Sequence, residues 1–145
     1  MSRRNPLMED SNGHHFIERA PGVEDYNRVR AAAGLGVKPE EAVRRGLSNT
    51  LYVVCVECEG EIVGFGRVVG DGGLFYEVVD VAVLPEHQGA GLGAGIMDRL
   101  MDYLRENASA GAFVSLHAGS GVSGLYERYG FAVRPPETPG MSQVL

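Results

Sequence analysis

The sequence predicts a single α/β domain with a mixed, mostly antiparallel sheet flanked by helices. Three strand-like runs in the middle of the chain are separated by short turn signals, as in an antiparallel meander. After Pro85 the spacing of apolar residues changes from strand-like to helical, so a helix follows the meander. The length of 145 residues, with 44% hydrophobic and 22% charged side chains, suits one compact domain with its own core.

The first third of the chain predicts a tail, one strand and two helices. Residues 1–12 are polar, and we expect a flexible N-terminal tail there and one domain over residues 13–145. His14–Ala20 is interpreted as a strand that a Pro-Gly pair ends. Val23–Ala33 has apolar residues at helical spacing followed by a glycine, and Pro39 with two glutamates opens a second helix.

The central runs predict three strands joined by tight turns. Leu51–Cys58 and Glu61–Val69 flank the dipeptide Glu59-Gly60, which is typical of a hairpin turn. Asp71-Gly72-Gly73 separates the second run from Leu74–Leu84, the stretch richest in valine and aromatic residues.

The last third of the chain predicts alternating helices and strands. Apolar residues recur at helical spacing over Ile96–Leu104, with charged residues on the other face. The strand Ala112–His117 would run parallel to the third central strand, because a helix connects the two. Val122–Tyr129 is predicted as a short helix before a strand at Phe131–Val133, and Gly140–Leu145 as a last edge strand.

Charge and hydropathy exclude several classes of function. No run approaches the roughly 18 apolar residues of a transmembrane helix, so we expect no membrane partner. The N-terminal segment lacks the apolar stretch of a secretory signal, which predicts a cytoplasmic protein. The net charge of −6 comes with interspersed charges and no basic stripe, so we expect no nucleic-acid partner. A homodimer is compatible with the sequence.

The cysteines and histidines do not predict a metal site. Cys55 and Cys58 lie three apart in a strand, so their side chains should face opposite sides of the sheet. A redox pair or zinc half-site at these two cysteines is therefore disfavoured, and a zinc site would need two further ligands. Three of the histidines are interpreted as exposed: His14, His15 and His87.

A glycine-rich segment, Gln88–Ala94, lies between the third central strand and the following helix. Amide groups at a helix N-terminus have no intrahelical partner and carry partial positive charge, so the segment predicts a phosphate or pyrophosphate site. A Walker loop is excluded, because no Gly-Lys-Ser/Thr follows. The dinucleotide pattern is approached by Gly89-x-Gly91-x-x-Ala94, but three antiparallel strands precede it instead of an early βαβ unit.

Two blocks of the sequence resemble the GNAT-type N-acetyltransferase superfamily. Gln88-x-x-Gly91-x-Gly93, after a valine-rich strand, is similar to the acetyl-CoA signature of that superfamily. Leu125–Phe131 resembles its C-terminal LYEKxGF segment, and the predicted element order is also similar over residues 14–134. Gly140-Met141 together with Asp80-Val-Ala-Val looks like the small amine acetyltransferases of the serotonin-acetyltransferase kind.

The resemblance implies that acetyl-CoA is the acyl donor and that main-chain groups bind it. Val81 and Val83 would pair with the pantetheine arm like an extra strand, and the Val81 amide would donate to the thioester carbonyl. Many relatives carry an asparagine where this chain has Gly119, so that contact is missing or is supplied by Ser120 or Ser123. The pyrophosphate would be held by the amides of Gln88, Gly89, Ala90, Gly91, Leu92, Gly93 and Ala94.

The resemblance also implies the catalytic residues. A primary amine has a pKa of about 10.4 and arrives protonated, so a base must remove a proton before the nitrogen attacks the thioester. Glu77 is the first candidate for this base, and we expect it to share a strand face with Val79, Val81 and Val83. Asp80 is the competitor, and the two carboxylates face opposite sides unless a β-bulge intervenes.

The other catalytic candidates lie near the end of the chain. Tyr126 is the candidate general acid, since the family places this tyrosine beside the CoA sulfur, and His117 is the next residue to consider. We therefore expect direct acetyl transfer to a primary amine of a small molecule or peptide within a ternary complex. The alternatives are a non-catalytic acyl-CoA-binding or regulatory module on the same fold and an unrelated nucleotide-binding domain.

Overall fold

A computed structural model describes residues 8–10, 12–119 and 121–145. Residues 1–7 and 11 of the expected tail, together with Ser120, lie outside the described residues. The strands are β1 (Met8–Glu9), β2 (His14–Ile17), β3 (Tyr52–Cys58), β4 (Glu61–Gly70), β5 (Phe75–Val83) and β6 (Phe113–Leu116). The helices are α1 (Val23–Ala32), α2 (Glu40–Ser48), α3 (Leu92–Asn107) and α4 (Ser123–Glu127).

The six strands form one sheet in chain order, which confirms the predicted α/β architecture. The first five strands pair antiparallel with their neighbours, and β6 pairs parallel with β5. The hairpin between β3 and β4 turns at Glu59 and Gly60, whose φ angles of 51° and 80° are those of a two-residue type I′ turn. The meander and its parallel extension thus lie where the sequence predicts them.

Helices cover both faces of the sheet. α1 and α2 pack on one face through a buried cluster that includes Tyr26, Val29 and Phe65. α3 and α4 pack on the other face, where the cluster includes Ile96 and Leu100. Within the described ranges, no helix combines the length and the apolar character needed to cross a membrane.

Two glycines allow α3 to lie very close to the sheet. A Cβ atom on Gly66 of β4 would stand 2.5 Å from Cγ2 of Ile96, and one on Gly95 would stand 2.6 Å from the Phe16 ring. Real Cβ atoms essentially never lie this close to a neighbour, so a side chain at either position would displace Ile96 or Phe16. The close approach fixes the N-terminal end of α3 over the centre of the sheet.

The predicted strands after α4 are absent, so that part of the prediction was wrong. The described chain contains no strand after Leu116, neither at Phe131–Val133 nor at Gly140–Leu145. The Phe131 amide instead bonds back to the Tyr126 carbonyl, which keeps the segment against α4. Three prolines between residues 135 and 139 lack the amide hydrogen that a strand ladder requires.

The two cysteines face opposite sides of the sheet, as predicted. Cys55 belongs to the buried cluster under α1 and α2, whereas Cys58 packs against the cluster under α3. Burial raises the pKa of the Cys55 thiol to about 12, which makes it inert at neutral pH. The interpretation of His14 as exposed was wrong: its side chain is buried and bonds to Asp10.

Candidate active site

A cleft opens where β5 and β6 diverge. The two strands pair only from Phe75–Phe113 to Val78–Leu116, after which β5 continues alone to Val83. The backbone edge of β5 beyond Val78 therefore faces the cleft without β6 beside it. The cleft has a volume of about 470 Å³, and its wall combines β5 from Glu77 to Val83 with Gln88, Leu116, His117, Gly119, Val122, Tyr126 and the segment after α1.

A β-bulge in β5 decides which side chains face this cleft. Val79 lies opposite Arg67 and Ala82 opposite Phe65, so Asp80 and Val81 together oppose the single residue Gly66. Asp80 has a φ of 57°, in the left-handed region that aspartate adopts more readily than most residues. The bulge that sequence reasoning left open is therefore present.

The bulge places Glu77 and Asp80 on the same side of the sheet. Alternation puts Glu77 on the face of Val79 and Arg67, and Arg67 bonds Asp80 on that face. Val81 and Val83 instead pack towards α3. The expected shared face of Glu77 with Val81 and Val83 was wrong, because the extra residue inverts the alternation beyond Val79.

Asp80 is enclosed by donors. Its Oδ2 accepts hydrogen bonds from the Tyr26 hydroxyl at 2.7 Å and from Arg67 Nε at 2.9 Å, and its Oδ1 accepts one from Arg30. The Asp80 side chain is only 7% exposed. Sequence reasoning missed this cluster, because its members come from α1, β4 and β5 and no local pattern links them.

The two arginines extend the cluster into the surrounding loops. Arg30 also donates to the carbonyls of Leu35 and Gly36, and Arg67 donates to Thr50 Oγ1 at 2.6 Å. The ion pairs thereby hold the segment after α1, which lines the cleft, against the bulge.

Glu77 is the accessible carboxylate in the cleft wall. Its side chain is 40% exposed, and its Oε1 lies 3.7 Å from Nε2 of His117 just beyond β6. His117 is largely exposed, so this pair is open to solvent and to a substrate. The structure thus brings together Glu77 and His117, two candidates from separate strands.

Tyr126 lies on α4 with its ring buried. It lines the β5–β6 cleft and also a second cleft of about 550 Å³ between β6 and residues 130–140. Burial raises the pKa of Tyr126, so its phenol keeps its proton at neutral and moderately basic pH. Tyr126 and Glu77 therefore share one cleft, with a protonated hydroxyl and an accessible carboxylate.

The glycine-rich loop follows a short 3-10 turn at Pro85–His87 and leads into α3. Gly89 and Gly91 have φ angles of 83° and 78°. These angles lie in the left-handed region, which residues other than glycine rarely adopt. The first turn of α3 contains no acidic residue, so no carboxylate in that turn competes with a bound anion for its free amides. The backbone amide of Gln88 is not free to bind an anion, because it already donates a hydrogen bond to the Pro85 carbonyl at 3.3 Å.

Tyr129, two residues beyond the end of α4, contacts the end of this loop. Its hydroxyl lies 2.8 Å from the Ala94 carbonyl oxygen and 2.8 Å from Asp98 Oδ1. Burial, together with the hydrogen bond to Asp98, raises the pKa of Tyr129 to about 12. The hydroxyl therefore keeps its proton and links the segment after α4 to the first turns of α3.

Gly119 lines the cleft with room for a side chain. A Cβ atom there would meet only Cγ2 of Val122, at an ordinary distance of 3.5 Å. Ser123 lines the second cleft, and Ser120 lies outside the described residues.

Comparison with known proteins agrees with this architecture. Residues 48–133 match the family model described as an acetyltransferase (GNAT) domain. Serotonin N-acetyltransferase 2 of Oryza sativa subsp. japonica, a chloroplastic protein, is 37% identical over 125 residues, which cover 83% of this chain and 61% of the rice protein. The chain thus spans under two thirds of that relative's length.

Two further relatives cover more of their own length. GCN5-related N-acetyltransferase 1 of Arabidopsis thaliana, also chloroplastic, is 31% identical over 92% of this chain and 70% of the plant protein. The crystal structure of a probable acetyltransferase from meticillin-resistant Staphylococcus aureus superposes with a TM-score of 0.87 at 35% identity, covering 91% of this chain and 99% of that one.

The family match thus agrees with the two plant relatives, both of which are named as N-acetyltransferases. This chain belongs to the GNAT acetyltransferase family.

Proposed function

We propose that this chain is an acetyl-CoA-dependent N-acetyltransferase that acetylates a primary amine of a small molecule or peptide. The observation that carries the proposal is the single cleft that Glu77, Tyr126 and the part of β5 beyond Val78 line together. A carboxylate on β5 can accept a proton from the amine, and a phenol on α4 can donate a proton to the leaving group, if both reach the same reacting centre.

The residues of the glycine-rich loop fit the pyrophosphate of acetyl-CoA. Left-handed glycines at positions 89 and 91 and an acid-free first helical turn suit a dianionic group. The amides from Gly89 to Ala94 would bind it, with Gln88 contributing through its side chain, which now bonds the Val83 carbonyl at 3.1 Å. Val81 and Val83 would pair with the pantetheine through their main chain.

Transfer would proceed by direct attack within the ternary complex. The acceptor ammonium gives one proton to Glu77, and the free amine nitrogen forms a bond to the acetyl carbonyl carbon. The carbon–sulfur bond then breaks, and the Tyr126 hydroxyl protonates the departing thiolate. The second proton of the nitrogen leaves through solvent, which restores the phenol. Glu77 then gives its proton to solvent, so the net products are an N-acetyl amide, CoA and one proton.

We assign the base role to Glu77 in preference to Asp80. Asp80 already accepts three hydrogen bonds and is the counterion of two arginines, so protonating it would leave those cations unpaired. Glu77 instead has a long contact with His117, at 3.7 Å, and its side chain is accessible in the cleft wall.

We propose an arylalkylamine as the first acceptor class to test. The exposed apolar side chains of Leu35 and Val122 line the cleft that contains Glu77. The ammonium group of an arylalkylamine would lie against Glu77, and its apolar body would pack on Leu35 and Val122. The rice relative is named for serotonin, which is an amine of this class. Cytoplasmic location and homodimer formation stay predictions for this chain.

The test is an acceptor panel with acetyl-CoA. Free thiol and the mass of the product are measured with arylalkylamines, polyamines, aminoglycosides, amino acids and peptides. N,N-Dimethyl analogues of each active amine serve as matched controls, since a tertiary amine cannot give a stable amide. Stoichiometric CoA and N-acetyl product from primary amines alone would support the proposal. Tight acetyl-CoA binding without transfer to any amine would favour the non-catalytic module instead.

A further inference from the structure

Three metal-binding side chains converge outside the β5–β6 cleft. His14 and Cys58 are register partners on β2 and β3, so their side chains lie next to each other on one face of the sheet. His87 ends the 3-10 turn after β5, and its Nδ1 lies 2.9 Å from Nε2 of His14. The ligand atoms of the three residues all lie within 4.8 Å of one another.

A carboxylate orients the buried member of this group. Oδ2 of Asp10 lies 2.9 Å from Nδ1 of His14, and Oδ1 of Asp10 accepts the amides of Asn12 and His14 at 2.8 and 2.9 Å. Asp10 is therefore fixed, and it favours the tautomer of His14 with the proton on Nδ1. The lone pair of His14 Nε2 then points towards His87. A carboxylate on the far nitrogen of a histidine is the usual support of a metal ligand.

We propose that His14, Cys58 and His87 bind one Zn²⁺ ion, with Asp10 positioning His14. Two imidazole nitrogens and a thiolate suit zinc, whereas Mg²⁺ and Ca²⁺ require oxygen ligands that this group lacks. Tetrahedral zinc with bonds of about 2.0–2.3 Å needs ligand atoms roughly 3.5 Å apart. On binding, the two imidazole nitrogens would therefore separate from their present 2.9 Å, and the thiolate would take up the same spacing from both. Both of these side chains are partly exposed, so the ion has a path of entry.

Binding exchanges protons for the metal in a balanced way. The His14 tautomer that Asp10 favours makes Nε2 of His14 the acceptor, which would place the proton of the His14–His87 contact on Nδ1 of His87 in the metal-free chain. On binding, that proton moves to Nε2 of the His87 ring, and the Cys58 thiol releases its proton to solvent. Each ion would therefore release one proton and leave both imidazoles neutral.

The ion would connect the sheet to the glycine-rich loop. His87 directly precedes Gln88, so a metal bound to it clamps the beginning of the loop to β2 and β3. Because the ion binds the folded chain, it would also raise the melting temperature by mass action. Neither effect depends on the proposed acetyl transfer, and binding can be measured without a substrate.

The test is a titration of the metal-stripped full chain, without an affinity tag, with Co²⁺ followed by Zn²⁺. Cobalt bound to a thiolate gives a near-ultraviolet charge-transfer band, and tetrahedral cobalt gives strong visible bands. We expect both at one equivalent in the parent and in Cys55→Ser, with the thiolate band lost in Cys58→Ser. Zn²⁺ should displace the cobalt. Asp10→Asn should weaken zinc binding by about 10- to 100-fold.

Histidine variants complete the design. His87→Ala should weaken zinc more than Asp10→Asn does, while His15→Ala, on the opposite face of β2, should bind as the parent does. Circular dichroism checks that each variant is folded, and His87 is suited to substitution because it is only partly buried. A thiolate band that survives Cys58→Ser, parental affinity in His87→Ala, or no binding at one equivalent in the parent would overturn the proposal.

Discussion

Nε of Arg67 lies 2.9 Å from Oδ2 of Asp80, and this contact joins β4 to the bulged residue of β5. Arg30 bonds the other carboxylate oxygen from α1, so one anion neutralises two largely buried cations. The same bulge inverts the alternation of β5 and puts Glu77 on the Asp80 side of the sheet. Asp80 thus stabilises the geometry in which Glu77 meets the cleft.

Asp80→Asn should destabilise the fold. Asparagine tolerates the left-handed backbone and keeps an acceptor oxygen, so the substitution removes the charge without straining the chain. Leaving Arg30 and Arg67 without a buried counterion should lower the free energy of unfolding by about 3 kcal/mol. Urea denaturation measures this, with Glu77→Gln as the control, whose exposed site should change stability by less than about 0.5 kcal/mol. Equal stability of the two variants would show that the cluster has no such role.

Charge at Gly91 should decide acetyl-CoA binding. Aspartate and asparagine both tolerate the φ of 78° and have the same shape, and a Cβ atom there meets nothing within 4 Å. Gly91→Asp should bind acetyl-CoA roughly 10- to 100-fold more weakly than Gly91→Asn, because its carboxylate would repel the pyrophosphate. Calorimetry at low and high salt measures the difference. Equal affinities of the two variants would place the pyrophosphate elsewhere.

Gly119→Asn should strengthen the donor site. The position borders the cleft and has space for a side chain, and the resemblance described above implies a pantetheine contact by asparagine there. One added hydrogen bond of about 1 kcal/mol should lower the KM for acetyl-CoA roughly fivefold. Gly119→Ala is the matched control for lost backbone freedom. If both variants have the same KM, another group already makes this contact.

Tyr126→Phe should slow the chemical step and leave binding intact. The ring and its packing remain, so acetyl-CoA affinity should stay near parental, while kcat should fall by about 10²-fold. Since burial raises the pKa of Tyr126, the parent should lose no activity through its ionisation below about pH 10. Tyr52→Phe is the control, because its hydroxyl bonds Glu18 away from the cleft. Pre-steady-state kinetics measure the step, and parental rates in Tyr126→Phe would assign the tyrosine to packing alone.

Local patterns predicted the meander, the two-residue turn at Glu59 and Gly60 and the helix after the glycine-rich loop. These features depend on periodicity and turn chemistry, which a short window of sequence contains. The strand at Gly140–Leu145 failed because apolar residues were weighed more heavily than the nearby prolines.

Contacts between residues that are far apart in the sequence could not be predicted from such local patterns. Arg30 and Asp80 lie 50 positions apart, and the buried contact of His14 with His87 spans 73 positions. Each depends on strand register and on the path of the connecting helices. The bulge at Asp80 was left open by the sequence, since aspartate in a valine-rich strand does not by itself predict a left-handed backbone.

The pH dependence of kcat/KM in Glu77→Gln tests most directly whether this cleft deprotonates an amine through Glu77. Glutamine keeps the size and reach of the side chain but cannot accept the proton. We predict that the rate falls by about 10²- to 10⁴-fold near pH 7 and recovers partly towards pH 10, where bulk solvent supplies more free amine. Asp80→Asn, measured at a temperature where it is folded, should keep the parental dependence on pH. A parental profile in Glu77→Gln, with the recovery at high pH found in Asp80→Asn instead, would contradict the assignment.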